Sequence, residues 1–209
     1  LMGLPGFFSL QAQTKSINTQ YQSWISVNSV LKISPQWGIM ADLHNRRYHF
    51  MEENSFNFAR AGVQYSFDKH LSVAAGYAHL WAYPTTKDWH TIAHENRIYQ
   101  QLQYSSKWKS INILQRLRNE QRWQQKMVND AYSGQLRFTD RVRYLVSLTI
   151  PVFKNKKLPA LAMADEICLQ TGKEVVFNTF DQNRFFFVFR EQLRPDLSFD
   201  MGYMRVDQQ

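Results

Sequence analysis

The sequence predicts an all-β protein, an up-and-down antiparallel transmembrane β-barrel with about ten strands in this chain. Two observations carry the prediction: apolar and polar residues alternate along most of the chain, and short connections alternate with longer ones. The composition agrees, because aromatic residues make up 15% of the 209 residues while glycine and proline number only 8 and 6. Collagen-like and low-complexity classes are therefore excluded.

The N-terminal residues look like the end of a targeting segment. Residues 1–12 are an apolar stretch ending in the small residue Ala12, which is typical of a secretory signal cleaved after that residue. Residues 13–22 then form a polar lead-in, and residues 23–209 form the barrel. An N-terminus that is disordered or packed in a core is the other interpretation. Past this point no apolar run reaches the length that a spanning helix needs.

Ten segments show the two-residue period of a β-strand. In the clearest one, Val142, Tyr144 and Val146 face one way, while Arg141 and Arg143 face the other. The segment 71–82 is less clear, since both of its faces are apolar. The ten segments cover residues 24–33, 39–46, 58–67, 71–82, 95–104, 111–122, 139–150, 161–170, 184–190 and 197–203.

The connections between these segments also alternate. Outer-membrane barrels have short periplasmic turns at one end and longer loops at the other. We expect short turns at residues 34–36, 68–70, 107–110, 154–158 and 195–196, and longer loops at residues 47–55, 83–93, 123–135 and 172–179.

The length and chemistry of the faces favour a membrane barrel over a soluble one. The apolar faces run for about 9 to 11 residues, the length that crosses a bilayer at barrel tilt, whereas soluble strands average about 5 to 6. Arg116 and Arg118 fit a wet lumen more easily than a narrow soluble core. We therefore expect a monomer in the outer membrane of a Gram-negative bacterium, with outer-membrane lipids as partners and no nucleic acid.

Charge pairing suggests a register for the hairpin 95–122. If it turns through residues 107–110, Glu95 lies opposite Arg122 and Arg97 lies opposite Glu120. Both cross-strand pairs are oppositely charged, which favours this register over its two-residue neighbours. The same arrangement puts Gln100 and Gln115 on the lipid side, where their amides have no evident partner.

Several motifs from residue 94 onward resemble a known family. They are HENRIYQQLQY, LQRLRNEQRW, RVRYLVSLTIPVF, the pair Asp165 and Glu166, NTFDQNR and LSFDMGYM. Together they resemble the domain of unknown function 2490 family of Bacteroidota outer-membrane barrels, over most of the chain from about Trp24. The resemblance implies a secreted barrel with no catalytic residue to carry over. It also implies a further C-terminal strand and about twelve strands in an intact barrel.

The inner charges are the most informative candidate site. One interpretation is a narrow channel that prefers anions, because arginines outnumber acids. The other is a plugged structural barrel, in which arginines and acids interlock across strands. The candidate residues are Asp42, Arg60, Glu95, Arg97, Arg116, Arg118, Glu120, Arg122, Arg141, Arg143, Glu166, Arg184, Arg190 and Asp200.

Other functions have weaker support. His90, His94 and Glu95 would suit a metal only on a helix, so we expect no metal site and no cofactor. A lipid-modifying hydrolase using His79 or His44 with a nearby serine is the enzymatic alternative. The segment 111–128 could also form a basic amphipathic helix, and with a pI near 9.6 it would suggest a soluble nucleic-acid-binding protein.

Overall fold

The computed structural model describes residues 19–208, apart from residues 154, 156–157 and 176–177. It contains ten antiparallel strands, each paired with the next in sequence, in one sheet that curls into a half-barrel. The predicted all-β, up-and-down antiparallel fold is thus confirmed. The strands are β1 (Gln22–Lys32), β2 (Trp37–Tyr48), β3 (Glu53–Ser66), β4 (Leu71–Ala82), β5 (Ala93–Trp108), β6 (Ile111–Val128), β7 (Ala131–Ile150), β8 (Ala160–Thr171), β9 (Phe180–Arg194) and β10 (Leu197–Gln208).

Among the described residues, no helix is long and apolar enough to cross a membrane. The segment Ile111–Val128 is strand β6, so the alternative interpretation of this segment as a basic amphipathic helix was wrong. Good helix formers adopt a strand here because both edges of β6 are taken up by β5 and β7. The expected signal segment, residues 1–12, and most of the lead-in 13–22 lie outside the described residues.

The longest hairpin contradicts one expected loop. Residues 123–135 were expected to form a long connection, but β6 and β7 extend through this region and meet at a two-residue turn. Asn129 and Asp130 form the turn with positive φ values of 49° and 58°. These are the dihedrals of a type I′ turn, which matches the twist of the flanking strands and tolerates asparagine and aspartate.

The two faces of the sheet differ sharply. The inner face is the side on which Arg118 and Glu120 lie, and both of these side chains are buried. The outer face carries exposed apolar side chains, including Phe185, Phe187 and Phe189 on β9. Because successive strand residues point to opposite faces, one register places most of the large apolar residues of a strand outside, although Met40, Leu80 and Tyr99 lie buried on the inner face.

Packing explains why both faces of strand β4 are apolar in the sequence. Tyr99 of β5 is fully buried and lies over Gly62 of β3 and Gly76 of β4, which are direct cross-strand partners. A Cβ built at Gly62 would meet the Tyr99 hydroxyl, and one built at Gly76 would lie 2.9 Å from Tyr99 Cε1. Apart from Leu80, the middle of the inner face of β4 is made of small residues, and the ring of Tyr99 from the next strand covers it at Gly76.

Aromatic side chains gather at both ends of the outer face. We call the group near the short turns the turn-end belt and the group near the long loops the loop-end belt. The turn-end belt comprises Trp37, Tyr65, Phe67, Tyr104 and Trp108, and the loop-end belt comprises Trp81, Trp123 and Phe138. Neighbouring rings touch in both belts: Trp37 and Tyr65 have centroids 4.9 Å apart, and Trp123 and Phe138 have centroids 5.3 Å apart.

Candidate functional site

Glu120 of β6 is the most heavily shared acid on the inner face. Its carboxylate accepts hydrogen bonds from Arg141 Nη2 at 2.6 Å, Arg143 Nη1 at 2.7 Å and Arg97 Nη1 at 3.4 Å. Only 2% of Glu120 is exposed. One buried carboxylate therefore holds arginines from β5 and β7 as well as lying beside Arg118 of its own strand.

Glu166 of β8 is a second shared acid. It accepts hydrogen bonds from Arg143 Nη2 at 2.6 Å, Arg116 Nη2 at 2.8 Å and Arg184 Nη1 at 3.4 Å. Arg143 contacts both Glu120 and Glu166, so it joins the two clusters. The result is a continuous arginine–carboxylate network that crosses the inner face from β5 to β9.

The hairpin β5–β6 extends this network, but in a different register from the predicted one. Arg97 lies opposite Arg122, so the prediction that Glu95 faces Arg122 directly was wrong by two residues. The ion pairs still form on the diagonal: Arg122 Nε lies 2.6 Å from Glu95, and Arg97 Nη1 lies 3.4 Å from Glu120. Long arginine side chains lean along the strands, which lets diagonal neighbours meet.

Two further pairs among the predicted inner charges lie away from the network. Arg60 of β3 pairs with Asp42 of β2, and both side chains are buried. Arg190 of β9 and Asp200 of β10 form a bidentate pair at 2.6 and 2.8 Å, but each side chain is 40% exposed. The structure thus brings most of the predicted inner charges together in the interior and leaves one pair half-exposed near the β10 edge.

Two charged interior residues, Asp181 and Arg46, were absent from the predicted inner charges. Strict alternation from Arg184 would point Asp181 outward. A β-bulge between β8 and β9 leaves Asp181 unpaired and turns its side chain inward. There its carboxylate accepts a hydrogen bond from Arg141 Nη1 at 3.1 Å. Arg46 was also missed. Its guanidinium stacks on the Trp24 ring at 3.6 Å instead of meeting an acid. The two-residue period of a strand does not reveal a bulge, so Asp181 could not be predicted to point inward. Trp24 and Arg46, in contrast, occupy positions that alternation assigns to the inner face.

Several polar side chains on the outer face bond to one another, although Asn119 Oδ1 and Asp140 Oδ1 have no partner among the described residues. Gln100 and Gln121 exchange two amide hydrogen bonds at 3.1 and 3.2 Å. Tyr144 donates to Gln115 Oε1 at 2.7 Å. The partners that the sequence did not reveal for Gln100 and Gln115 are therefore supplied by adjacent strands.

The family model described as a protein of unknown function (DUF2490) matches residues 21–209. The chain belongs to this family. No curated protein and no solved structure matches it. The resemblance found in the sequence motifs is thus confirmed at the level of the family, while the Bacteroidota source and the outer-membrane location stay predictions.

The histidines of the enzymatic alternative bond to other side chains in this DUF2490 chain. His44 Nδ1 accepts from Trp24 Nε1 at 3.1 Å, and His79 bonds to Asn96 and His94 on the outer face. Within the described part of the chain, neither histidine is hydrogen-bonded to a serine. In that same part, no group of three or more histidine, cysteine or acidic side chains is placed to hold a metal ion. Cys168 is buried on the inner face.

Proposed function

We propose that this DUF2490 protein is an integral outer-membrane β-barrel that is closed by its own side chains and serves as a structural barrel. One observation carries the closed interior: Glu120, Glu166 and Arg118 are only 1–3% exposed. In an open, water-filled pore the tips of such side chains would be wetted. The arginine–carboxylate network therefore fills the space that a conducting pore would need.

The aromatic belts support a membrane location. Trp108 of the turn-end belt lies opposite Ile111, and Trp123 of the loop-end belt lies twelve residues further along β6. Twelve residues at about 3.3 Å each, in a strand tilted by about 40°, span about 30 Å across the bilayer. This is close to the apolar band of about 25 Å that lies between the aromatic girdles of outer-membrane barrels.

The outer polar pairs give independent support. Hydrocarbon offers no hydrogen bonds, so a polar side chain that faces lipid needs a protein partner. The Gln100–Gln121 and Gln115–Tyr144 pairs meet that requirement between adjacent strands. In water these amides and the phenol would be satisfied by solvent, and no such pairing would be required.

The network explains how a narrow interior can hold so many charges. An isolated charge removed from water is costly, whereas a guanidinium that donates to a shared carboxylate recovers much of that cost. Because Arg143 joins Glu120 to Glu166, strands β6, β7 and β8 are tied together by side chains as well as by backbone hydrogen bonds. These ties support a rigid interior with little room for a pore in the proposed barrel.

Reconstitution tests the proposal. The full chain is refolded into detergent and liposomes, and its gel mobility is compared with and without heating. We expect heat-modifiable mobility, a β-rich circular dichroism spectrum and no conductance steps in planar bilayers in which a general porin conducts. Anion-selective steps would favour the channel interpretation, and release of fatty acid from outer-membrane lipid would favour the enzyme. Failure to insert into bilayers would contradict the membrane location.

A further inference from the structure

A cavity with charged, polar and apolar walls lies on the inner face beside β1, where it borders the network at Arg116 and Arg118. Its volume is about 210 Å³, and its wall includes Asn28, Asp42, Arg60, Gln101, Arg116 and Arg118. The space is equivalent to about seven water molecules at about 30 Å³ each. It is therefore large enough for a small polar ion with its first ligands.

The charges around this cavity do not balance. Three arginines face it against one acid, Asp42, which already pairs with Arg60. Arg118 donates from Nε to the neutral amide oxygen of Gln101 at 3.0 Å, while its nearest carboxylate, Glu120, is 3.8 Å away. Arg60 pairs with Asp42 and Arg116 pairs with Glu166 at 2.8 Å, so Arg118 is the arginine of the wall whose charge is least compensated.

The guanidiniums of the wall also have unused donor capacity. Arg60 Nε is buried and has no hydrogen-bond partner among the described residues. Arg116 reaches Glu166 through one nitrogen, and that carboxylate is shared with Arg143 and Arg184. Arg60 Nε is too deeply buried for an anion in the cavity to reach, whereas the Arg116 side chain is 21% exposed, so its remaining N–H groups are available to such an anion.

We infer that this cavity binds a small dianionic oxyanion, a phosphate group. The negative charge of a phosphate complements the three arginines of the wall, which face one acid. Guanidiniums form planar, bidentate hydrogen bonds with phosphate oxygens, and the amides of Asn28 and Gln101 can donate to the remaining ones. This site goes beyond the structural barrel, because a closed, non-conducting barrel does not require a ligand.

Titration of the refolded full chain tests the site. The probes are inorganic phosphate, a short-chain phosphatidate and, as a blocked phosphodiester, a short-chain phosphatidylcholine, each followed by calorimetry in detergent. Saturable binding of inorganic phosphate supports the proposal and indicates a free ligand. Saturable binding of phosphatidate without inorganic phosphate supports it and indicates a lipid headgroup. Binding of neither, or equal binding of phosphatidylcholine, overturns it.

Three variants sharpen the result. Arg118→Gln should weaken phosphate binding by about tenfold or more, since one charged donor is lost. Asp42→Asn should tighten binding, because it removes the one anion that competes with the ligand at the wall. Arg190→Gln, which changes an arginine outside the cavity, is the control and should bind like the natural protein. Weaker binding by Asp42→Asn overturns the proposal, even if Arg118→Gln fails to fold.

Discussion

Two ion pairs of the same chemistry occupy very different parts of this sheet. Arg141 and Glu120 lie 2.6 Å apart on the inner face with side chains 5% and 3% exposed. Arg190 and Asp200 are also 2.6 Å apart, but both side chains are 40% exposed. Distance alone does not distinguish the pairs. Burial distinguishes them, because a buried charge that loses its partner cannot be solvated by water, whereas an exposed charge can.

The difference extends to the strands that carry the pairs. Each of the strands β5 to β9 pairs with a strand on both sides, whereas β1 and β10 are the edges of the described sheet. Val30 points inward from β1 and is nevertheless 47% exposed. An inner face becomes a core only where a strand on each side, and side chains across the lumen, close over it.

The largest effect should come from breaking the centre of the network. Glu120→Gln removes the charge that Arg97, Arg141 and Arg143 share, and should lower the free energy of unfolding by about 3–5 kcal/mol. Asp200→Asn is the matched control, with an expected loss of no more than about 1 kcal/mol. Urea unfolding in lipid vesicles measures both. Equal losses would mean that burial does not set the value of these pairs.

The glycine pair under Tyr99 should be the next most sensitive position. Gly62→Ala places a methyl group 2.6 Å from the Ala75 carbonyl oxygen and against the Tyr99 hydroxyl. We expect a loss of about 1–3 kcal/mol in unfolding free energy, because backbone or ring must shift. Ala61→Val, one residue away on the exposed outer face, should change little. A tolerated Gly62→Ala would show that Tyr99 does not lock β3 to β4.

Mutation of the outer Gln100–Gln121 pair should change stability less, and the pattern of the change should tell whether this face contacts hydrocarbon or water. Gln100→Leu leaves the Gln121 amide without its partner and should lower stability in vesicles by about 1 kcal/mol. The double variant Gln100→Leu with Gln121→Leu should regain this loss, since lipid accepts both leucines. If the double variant instead aggregates or is less stable than either single one, this face does not contact hydrocarbon.

The smallest effect should be the loss, at low pH, of the hydrogen bonds that hold the loop at His90 and Thr91 to Asp130. Backbone amides of Thr91 and His90 donate to Asp130, and they lower the pKa of this carboxyl below its ordinary 3.8. The stabilisation is complete above that value and is lost as the pH falls through the lower pKa of the folded state. Amide exchange at His90 and Thr91 should therefore accelerate in acid. Asp130→Asn should remove this pH dependence, and a variant that keeps it would exclude Asp130 as the cause.

Long sequence patterns predicted the structure of this protein better than short ones. Alternation over ten segments was enough to predict the strands and their inner and outer faces, because a side-chain period of two leaves little choice once one face is apolar. Turns were harder to predict. The Asn129–Asp130 turn was hidden in a polar stretch that reads equally well as a loop.

The sequence by itself determined which side chains of most strands share a face, and so which charges could meet. Only the tertiary structure decided which of them do meet: the two-residue shift at Arg97 and Arg122, the bulge that turns Asp181 inward, and the sharing of Glu120 and Glu166. The physical reason is that parity is a local property of the backbone. Register, bulges and shared ion pairs depend on how long side chains from several strands fill one space.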